Sequence, residues 1–385
     1  MSKTQEKLIT ILLLAAAAAG LFCTQDIAGG NSSETTDAVA YVYTSQGRPA
    51  QGVRYSFTRR ESWFEKLTSL EPRVLKSGYV DAEGKIAFSP RNVRDCNIQL
   101  DGETEGAFVD KALSPGEADT VHLEALRKVE GTVSDASVEK LYLSGTSYET
   151  EVVEGRFCFD KLPRGHFQVF ARVNGNYHTG SSLDPDSTSQ NIRVRTDRVI
   201  YDDFDDGDHY PNVMNALEGS SWFWSTKDHS RLLQPTSDEN FKQAIVAGQK
   251  GYALQTRFET TTETDEPYAQ VSSYLSRTKM LDLSSLDSII IHVRGNSSLI
   301  LALERIAEDG SALKVGYTIE APDTWTRFAV DPGNFHENPY DPTMRSWNEL
   351  KHEVNMITVF AFGGSEFAID GIELVGVNLQ ELTGK

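Results

Sequence analysis

Several stretches in the C-terminal half of the sequence alternate apolar residues with residues that could contact a ligand. In residues 289–294 every second residue is apolar, so His292 and Arg294 share the other face of a predicted strand. The same alternation in two later stretches adds Glu304, Trp325 and Arg327. Aromatic rings stack on the apolar faces of sugar rings, while charged groups hydrogen-bond sugar hydroxyls. These residue types therefore predict a saccharide-binding sheet face.

Other aromatic residues are candidates for the same contacts. The additional carbohydrate-binding candidates are Trp222, Trp224, Tyr268, Tyr274 and Tyr317. For the two tryptophans, packing in the core of a sandwich is the alternative, because buried aromatic residues dominate such cores.

No motif for catalysis accompanies these residues. The sequence contains no P-loop, HExxH, CxxC or GxSxG pattern, and nothing distinguishes a glycosidase pair among its 56 acidic residues. We therefore predict a protein that is not an enzyme, with a glycan-active hydrolase as the alternative. The net charge of −19 repels phosphate backbones and argues against nucleic-acid binding.

Short strand-like segments with frequent turn residues predict an all-β protein: two small sandwiches followed by a jelly-roll sandwich. Residues 198–378 resemble jelly-roll carbohydrate-binding modules related to family eleven and the galactose-binding-like fold. The segments that carry this resemblance are 202–208, 219–228, 281–295, 325–328 and 367–374. The resemblance implies carbohydrate binding.

The same resemblance implies a structural calcium ion, which in such modules ties the first strand to the last. Calcium takes about six to eight oxygen ligands, several of them carboxylates. The candidate ligands are Asp203, Asp205, Asp206, Asp208 and Asp370. A solvated acidic turn that binds no metal is the alternative.

Residues 38–126 resemble the carboxypeptidase-regulatory type of transthyretin-like sandwich through segments 47–53 and 81–88. Residues 127–197 are predicted to be a second, smaller copy, since segment 154–167 resembles another stretch of that family. Such domains usually serve as spacers or adhesion modules, and residues 379–385 are expected to form a tail.

The N-terminus has the pattern of an export signal. Lys3 and Lys7 precede an apolar run to Phe22, which is shorter than the about twenty residues of a membrane-spanning helix. Residues 1–22 resemble a bacterial lipoprotein signal that ends at a lipid-modified Cys23, although Phe22 departs from the usual Gly or Ala. A conventional cleavage within 15–20 is the alternative. Residues 23–37 are polar and predict a flexible tether.

Two cysteines remain beyond Cys23. In an oxidising compartment Cys96 and Cys158 form a disulfide or stay as two buried free thiols, and both alternatives are open. We predict an outer-membrane lipoprotein of the cell envelope, anchored by its lipid, that binds polysaccharide or oligosaccharide. The alternative is a structural or adhesion protein whose jelly roll binds a protein partner.

Overall fold

The computed structural model describes residues 38–59, 73–88, 96–109, 118–187, 190–213, 217, 219–227, 230–260, 267–336, 343–379 and 382. The predicted signal peptide, the lipidation site Cys23 and the tether lie outside these residues. Strands are by far the most frequent regular structure of the described residues, which confirms the all-β prediction. No helix in the described part of the chain is long and apolar enough to cross a membrane.

The first unit is a sandwich of two sheets around its own core. One sheet has the order β4-β1-β7 and the other the order β3-β2-β5-β6-β8. Gly84 makes the turn before β4 with φ +80°, where a Cβ would lie 2.7 Å from the carbonyl oxygen of Val42. The strands are β1 (Ala38–Tyr43), β2 (Arg54–Arg59), β3 (Arg73–Tyr79), β4 (Lys85–Phe88), β5 (Cys96–Asp101), β6 (Glu105–Val109), β7 (Ala118–His122) and β8 (Glu124–Ala125).

The second unit follows directly, and its strands pair in the order β14-β13-β10-β11-β12-β9-β15. Its core includes Leu141, Phe157 and Phe167. The strands are β9 (Arg127–Val133), β10 (Val138–Leu143), β11 (Glu149–Val153), β12 (Arg156–Leu162), β13 (Val169–Val173), β14 (Asn176–Thr179) and β15 (Gln190–Ile192).

The two units share an unusual combination of strand pairings. In the first unit β1 pairs antiparallel with β4 and parallel with β7. In the second unit β9 pairs antiparallel with β12 and parallel with β15. The units are therefore topological repeats over these strands, whereas their membership of the carboxypeptidase-regulatory type stays a prediction.

The third unit is a jelly roll of two sheets with a common apolar core. Its seven-stranded sheet has the order β18-β20-β27-β22-β25, with β16 paired to β27 and β19 to β20, and its five-stranded sheet has the order β17-β21-β26-β23-β24. The strands are β16 (Arg198–Asp202), β17 (Phe223–Lys227), β18 (Arg231–Gln234), β19 (Ile245–Ala247), β20 (Tyr252–Glu259), β21 (Tyr268–Tyr274), β22 (Ser288–Gly295), β23 (Ser298–Ile306), β24 (Ala312–Glu320), β25 (Thr326–Val330), β26 (Met356–Phe362) and β27 (Glu366–Val375).

Short helical turns connect some of these strands: the 3₁₀ helices Asp238–Gln243 and Pro332–Asn334 and the α-helix Trp347–Leu350. After β27, the side chains of Leu379 and Leu382 are buried in the jelly-roll core. The expected tail therefore contributes to the core at these two positions, because its leucines cover apolar surface of the sandwich.

The second unit packs tightly against the jelly roll. Tyr142, Phe170 and Tyr177 of the second unit belong to the same buried cluster as the jelly-roll core. The N–H of Ile200 donates a 2.7 Å hydrogen bond to Oγ1 of Thr179 in this interface. A continuous apolar core and buried hydrogen bonds fix the orientation of these two units.

Candidate functional site

Four of the predicted carbohydrate-binding residues lie together on the outside of the seven-stranded sheet. Ile289, Ile291 and Val293 point into the core, so His292 and Arg294 point outward as the alternation predicts. His292 lies opposite Arg327 on β25. The guanidinium carbon of Arg294 lies 5.1 Å from the ring centre of Trp325.

Most charged side chains around this group form ion pairs with one another. Arg198 lies 2.8 Å from Glu373, and Arg257 lies 3.5 Å from Glu366. These charges compensate each other, whereas Arg294 and Arg327 on the same face form no ion pair with a described residue.

Three of the five predicted metal ligands approach one another next to His292. Asp203, Asp205 and Asp370 line one cavity of about 230 Å³ between the start of the jelly roll and β27. The other two predicted ligands lie elsewhere, since Asp206 and Asp208 line a different cavity together with Gln168. The five predicted metal ligands therefore do not form one cluster, but a group of three and a group of two.

The three grouped carboxylates are buried close enough to influence one another electrostatically. Burial, with the Asp203 charge as a second cause, raises the pKa of Asp205 to about 7. Burial also raises the pKa of Asp370 to about 6, with the Asp203 charge adding to the effect. Among the described residues, however, no three His, Cys, Asp or Glu side chains converge closely enough to hold a metal ion. The donor chemistry of these carboxylates suits a hard cation.

Both predicted tryptophan platforms are core residues. Trp222 is fully buried and packs against Tyr201 and Phe204. Trp224 is 6% exposed, and its Nε1 donates a hydrogen bond to Oγ1 of Thr256 at 2.9 Å. These two residues cannot contact a saccharide because their rings fill the space between the sheets, so the prediction for them is wrong.

The remaining predicted residues lie on the five-stranded sheet, not beside His292. Tyr317 packs against the jelly-roll core, so it does not offer an open ring face. Tyr268 and Tyr274 are half-buried on the side of β21 that points away from the core. Glu304 lies on that same side of β23, because Leu299, Leu301 and Leu303 point into the core. The predicted carbohydrate-binding residues therefore lie on two different sheets.

The side of the five-stranded sheet that faces away from the core, here called the outer face, carries a cluster of three aromatic rings. Tyr268 contacts Phe360 and Phe362 edge-on, with ring centres 5.3 and 5.8 Å apart. Phe360 and Phe362 lie 6.4 Å apart with nearly parallel rings. At the other end of β21, Tyr274 stacks on Phe223 at 5.9 Å. The outer face therefore has aromatic groups at both ends of one strand.

A row of polar side chains separates these aromatic groups. Gln270 Nε2 donates to Ser272 Oγ at 3.3 Å, and Thr358 Oγ1 donates to the same oxygen at 3.0 Å. Glu304 lies beside Thr358, and burial raises the pKa of its carboxyl group. Its Oε1 is buried and has no hydrogen-bond partner. Since a buried carboxyl oxygen normally has a partner, Glu304 is the polar group of this face that most needs one.

Sequence reasoning missed Phe360, Phe362, Gln270 and Thr358. The alternation in residues 356–362 contained the necessary signal, because Ile357, Val359 and Ala361 point into the core and the residues between them do not. The pairing of β21 with β26 then brings Gln270 opposite Phe360, and this contact between distant segments is not readable from either strand alone.

The predicted disulfide is not formed in this structure. Cys158 is a free thiol whose Sγ lies 3.4 Å from Oδ1 of Asp160. The side chain of Cys96 lies outside the described part of the chain. The alternative of a free thiol therefore holds for Cys158.

Several solved structures are similar to part of this chain. A family 11 carbohydrate-binding module of a cellulosomal cellulase of Clostridium thermocellum has 17% identity, with a TM-score of 0.35 over 48% of this chain and 96% of that chain. A family 11 module from Clostridium thermocellum in complex with a mixed-linked tetrasaccharide has 16% identity, with a TM-score of 0.33 over 41% and 89%. A family 30 carbohydrate-binding module has 12% identity, with a TM-score of 0.27 over 35% and 72%.

At these identities and TM-scores, the similarities carry no argument about the ligand of this chain. No protein-family model and no curated protein sequence matches the chain.

Proposed function

We propose that this chain is a non-catalytic protein of the bacterial cell envelope that binds carbohydrate through the outer face of its five-stranded sheet. The observation that carries the proposal is the cluster of Tyr268, Phe360 and Phe362 beside the polar row. Ring faces suit the apolar side of a sugar, and the half-buried side-chain amide of Gln270 suits its hydroxyls.

The length of the outer face suits a chain of sugars more than a single one. Tyr268 and Tyr274 are the first and last residues of β21, so their Cα atoms are about 20 Å apart at the usual rise of a strand. A ligand that uses both aromatic ends must span that distance. This favours an oligosaccharide or a segment of a polysaccharide.

Affinity electrophoresis of the full-length protein in gels that contain soluble β-glucan or xylan tests the proposal. We expect retardation of the wild type in at least one polymer and a loss of at least about tenfold in affinity in Tyr268→Ala, equivalent to about 1.4 kcal/mol. The matched control is Trp325→Ala, which removes an aromatic ring from the outside of the other sheet.

The control variant also separates the two sheets as binding surfaces. If Trp325→Ala abolishes retardation and Tyr268→Ala does not, the ligand binds at the seven-stranded sheet and the assignment to the outer face is wrong. If the wild type migrates freely through every polymer, carbohydrate binding itself is wrong and a protein partner becomes the better hypothesis. Release of reducing sugar would contradict the non-catalytic assignment.

Membrane anchoring through Cys23 is part of the proposal and rests on the sequence pattern of residues 1–23. We expect cells that express the wild type to incorporate labelled palmitate into the protein and to retain it in the membrane fraction. The variant Cys23→Ala should lose both properties, whereas Cys158→Ala should keep them. A wild type that is already recovered free of membranes contradicts the anchor.

Calcium binding by Asp203, Asp205 and Asp370 is the last part of the proposal. The raised pKa values of Asp205 and Asp370 support it, because a divalent cation would relieve the repulsion that contributes to them. Isothermal titration with calcium should give heat for the wild type and for Asp208→Asn, but not for Asp205→Asn. If calcium gives neither heat nor a higher melting temperature, the site does not exist.

A further inference from the structure

A cleft of about 550 Å³ opens at the end of the outer face, next to Tyr274. One wall is the segment 277–280 that follows β21, and the other is the segment 306–308 at the end of β23. Tyr274 belongs both to this cleft and to the outer face, so the two are continuous. A ligand chain that lies along β21 can extend into the cleft.

Arg277 is an exposed cation at this position, and it has no carboxylate partner among the described residues. Its guanidinium carbon lies 5.9 Å from the ring centre of Tyr274. Several other described arginines do form ion pairs, as Arg231 does with Glu259 at 2.9 Å. Among the described residues the guanidinium of Arg277, like that of Arg327, has no carboxylate that neutralises it.

We propose that the glycan recognised by the outer face is acidic, and that Arg277 binds a carboxylate or sulfate group of one of its sugars inside the cleft. This inference rests on the proposed function. The planar guanidinium offers two parallel N–H groups that match the two oxygens of a carboxylate or a sulfate. The ring of Tyr274 lies beside that position and supplies an apolar surface for the sugar that bears the charge.

Other charges around the cleft are consistent with this ligand. Among the described residues that line the cleft, Arg277 and Lys279 are cations on one wall and Glu308 is a carboxylate on the opposite wall. The net charge of −19 repels an acidic polymer only weakly from a distance, because the Debye length is about 8 Å at physiological ionic strength. Within the cleft the nearest charges decide the interaction, and these are mainly positive.

The test compares polymers that differ only in charge. The full-length protein is run in affinity gels that contain polygalacturonate or its methyl ester, and dextran sulfate or dextran. We expect at least about tenfold tighter binding to one acidic polymer than to its neutral counterpart, which corresponds to about 1.4 kcal/mol. The pair that shows the difference distinguishes a carboxylate from a sulfate ligand. We also expect the preference to shrink as sodium chloride is raised.

Substitutions test whether Arg277 causes the preference for the acidic polymer. Arg277→Gln should lose the preference for the acidic polymer and keep the binding of the neutral one, and Arg277→Lys should retain part of it. Arg327→Gln is the matched control, because Arg327 is also exposed and without an ion pair but lies on the other sheet. An equal loss in Arg327→Gln would indicate general attraction to cations and would overturn the inference.

The outcomes separate the inference from the proposed function. If Tyr268→Ala loses binding to a neutral polymer while wild type and Arg277→Gln bind acidic and neutral polymers equally, the inference is wrong and the proposed function stands. If the wild type binds none of the polymers, including the neutral glucans and xylans, both are wrong.

Discussion

Trp222 and Asp202 form a buried hydrogen bond in the jelly-roll core. The indole Nε1 of Trp222 donates to Oδ2 of Asp202 at 2.7 Å, and both side chains are at most 1% exposed. Burial raises the pKa of the Asp202 carboxyl group well above its usual value, and the hydrogen bonds from Trp222 and from the N–H of Phe204 oppose that rise. The pair joins the end of β16 to the segment that leads into β17.

Replacement of Trp222 by Phe is therefore expected to destabilise the protein. The variant keeps most of the apolar surface but leaves a buried carboxyl oxygen without its donor, which costs about 2–3 kcal/mol. The measurement is the free energy of unfolding from urea titration, with an unchanged slope against denaturant. Trp325→Phe is the control and should change the free energy by about 0.5 kcal/mol or less. A Trp222→Phe variant as stable as the wild type would show that the pair does not support the core.

This pair also explains why the sequence misdirected the prediction for Trp222. Alternation within one strand shows that two residues share a face, but Trp222 precedes β17 and lies in no alternating pattern. What places it inside is Asp202, which is distant in sequence and supplies the acceptor that a buried indole N–H needs. The contact between these two segments cannot be predicted from the sequence of either segment alone.

The interface between the second unit and the jelly roll depends on Thr179. Its Oγ1 accepts the 2.7 Å hydrogen bond from the N–H of Ile200, and both residues are at most 1% exposed. Thr179→Val preserves the shape of the side chain and removes the acceptor. We expect a loss of about 1–3 kcal/mol in the free energy of unfolding.

A matched threonine provides the control for this prediction. Thr132 is exposed on β9, so Thr132→Val should leave stability within about 0.5 kcal/mol of the wild type. Since the two units share one apolar cluster, Thr179→Val should still unfold in a single transition. Separate transitions for the second unit and the jelly roll would contradict the shared core.

Cys158 provides a chemical test of the predicted disulfide. Because Cys158 is a free thiol, treatment with dithiothreitol should not lower the melting temperature. Burial, with Asp160 as a second cause, raises the pKa of the thiol, so it should react slowly with thiol reagents at pH 7 because the thiolate is the nucleophile. Mass spectrometry of the alkylated, non-reduced protein should find carbamidomethyl groups on Cys158. A peptide that links Cys96 to Cys158 would contradict the structure.

The sequence predicted which side chains of a strand point outward better than it predicted which strands lie next to each other in a sheet. The outward positions of His292 and Arg294 followed from alternation alone, and the structure places them there. Glu304 was expected beside them from the same alternation, yet β22 pairs with β27 and β23 pairs with β26. His292 and Glu304 lie in the same kind of alternating pattern, but the connection between β22 and β23 crosses from one sheet to the other and separates them. Alternation cannot register such a crossing, since it describes one strand at a time.

The grouped carboxylates predict how stability depends on pH. The pKa of Asp205 is about 7 in the folded protein and about 4 in an unfolded chain, so the folded state binds its proton more tightly. The contribution of Asp205 to the free energy of unfolding is therefore greatest at low pH and is lost as the pH rises from about 4 to about 7. An ion-paired carboxylate would show the opposite dependence, because its contribution is lost as the pH falls. Asp370, with a pKa of about 6, contributes in the same direction as Asp205.

Thermal unfolding in chelator should therefore give a lower melting temperature at pH 8 than at pH 5. In Asp205→Asn this decrease should be smaller, because the amide does not titrate and removes one of the charges that repel Asp370. Asp323→Asn, an exposed replacement elsewhere on the jelly roll, should keep the full decrease. Net charge alone would make the protein less stable at pH 8 in every variant equally, so an equal decrease in all three proteins would show that the grouped carboxylates are not its cause. Added calcium at pH 8 should restore the melting temperature of the wild type and not that of Asp205→Asn, because a cation can neutralise the repulsion only where the carboxylate is present.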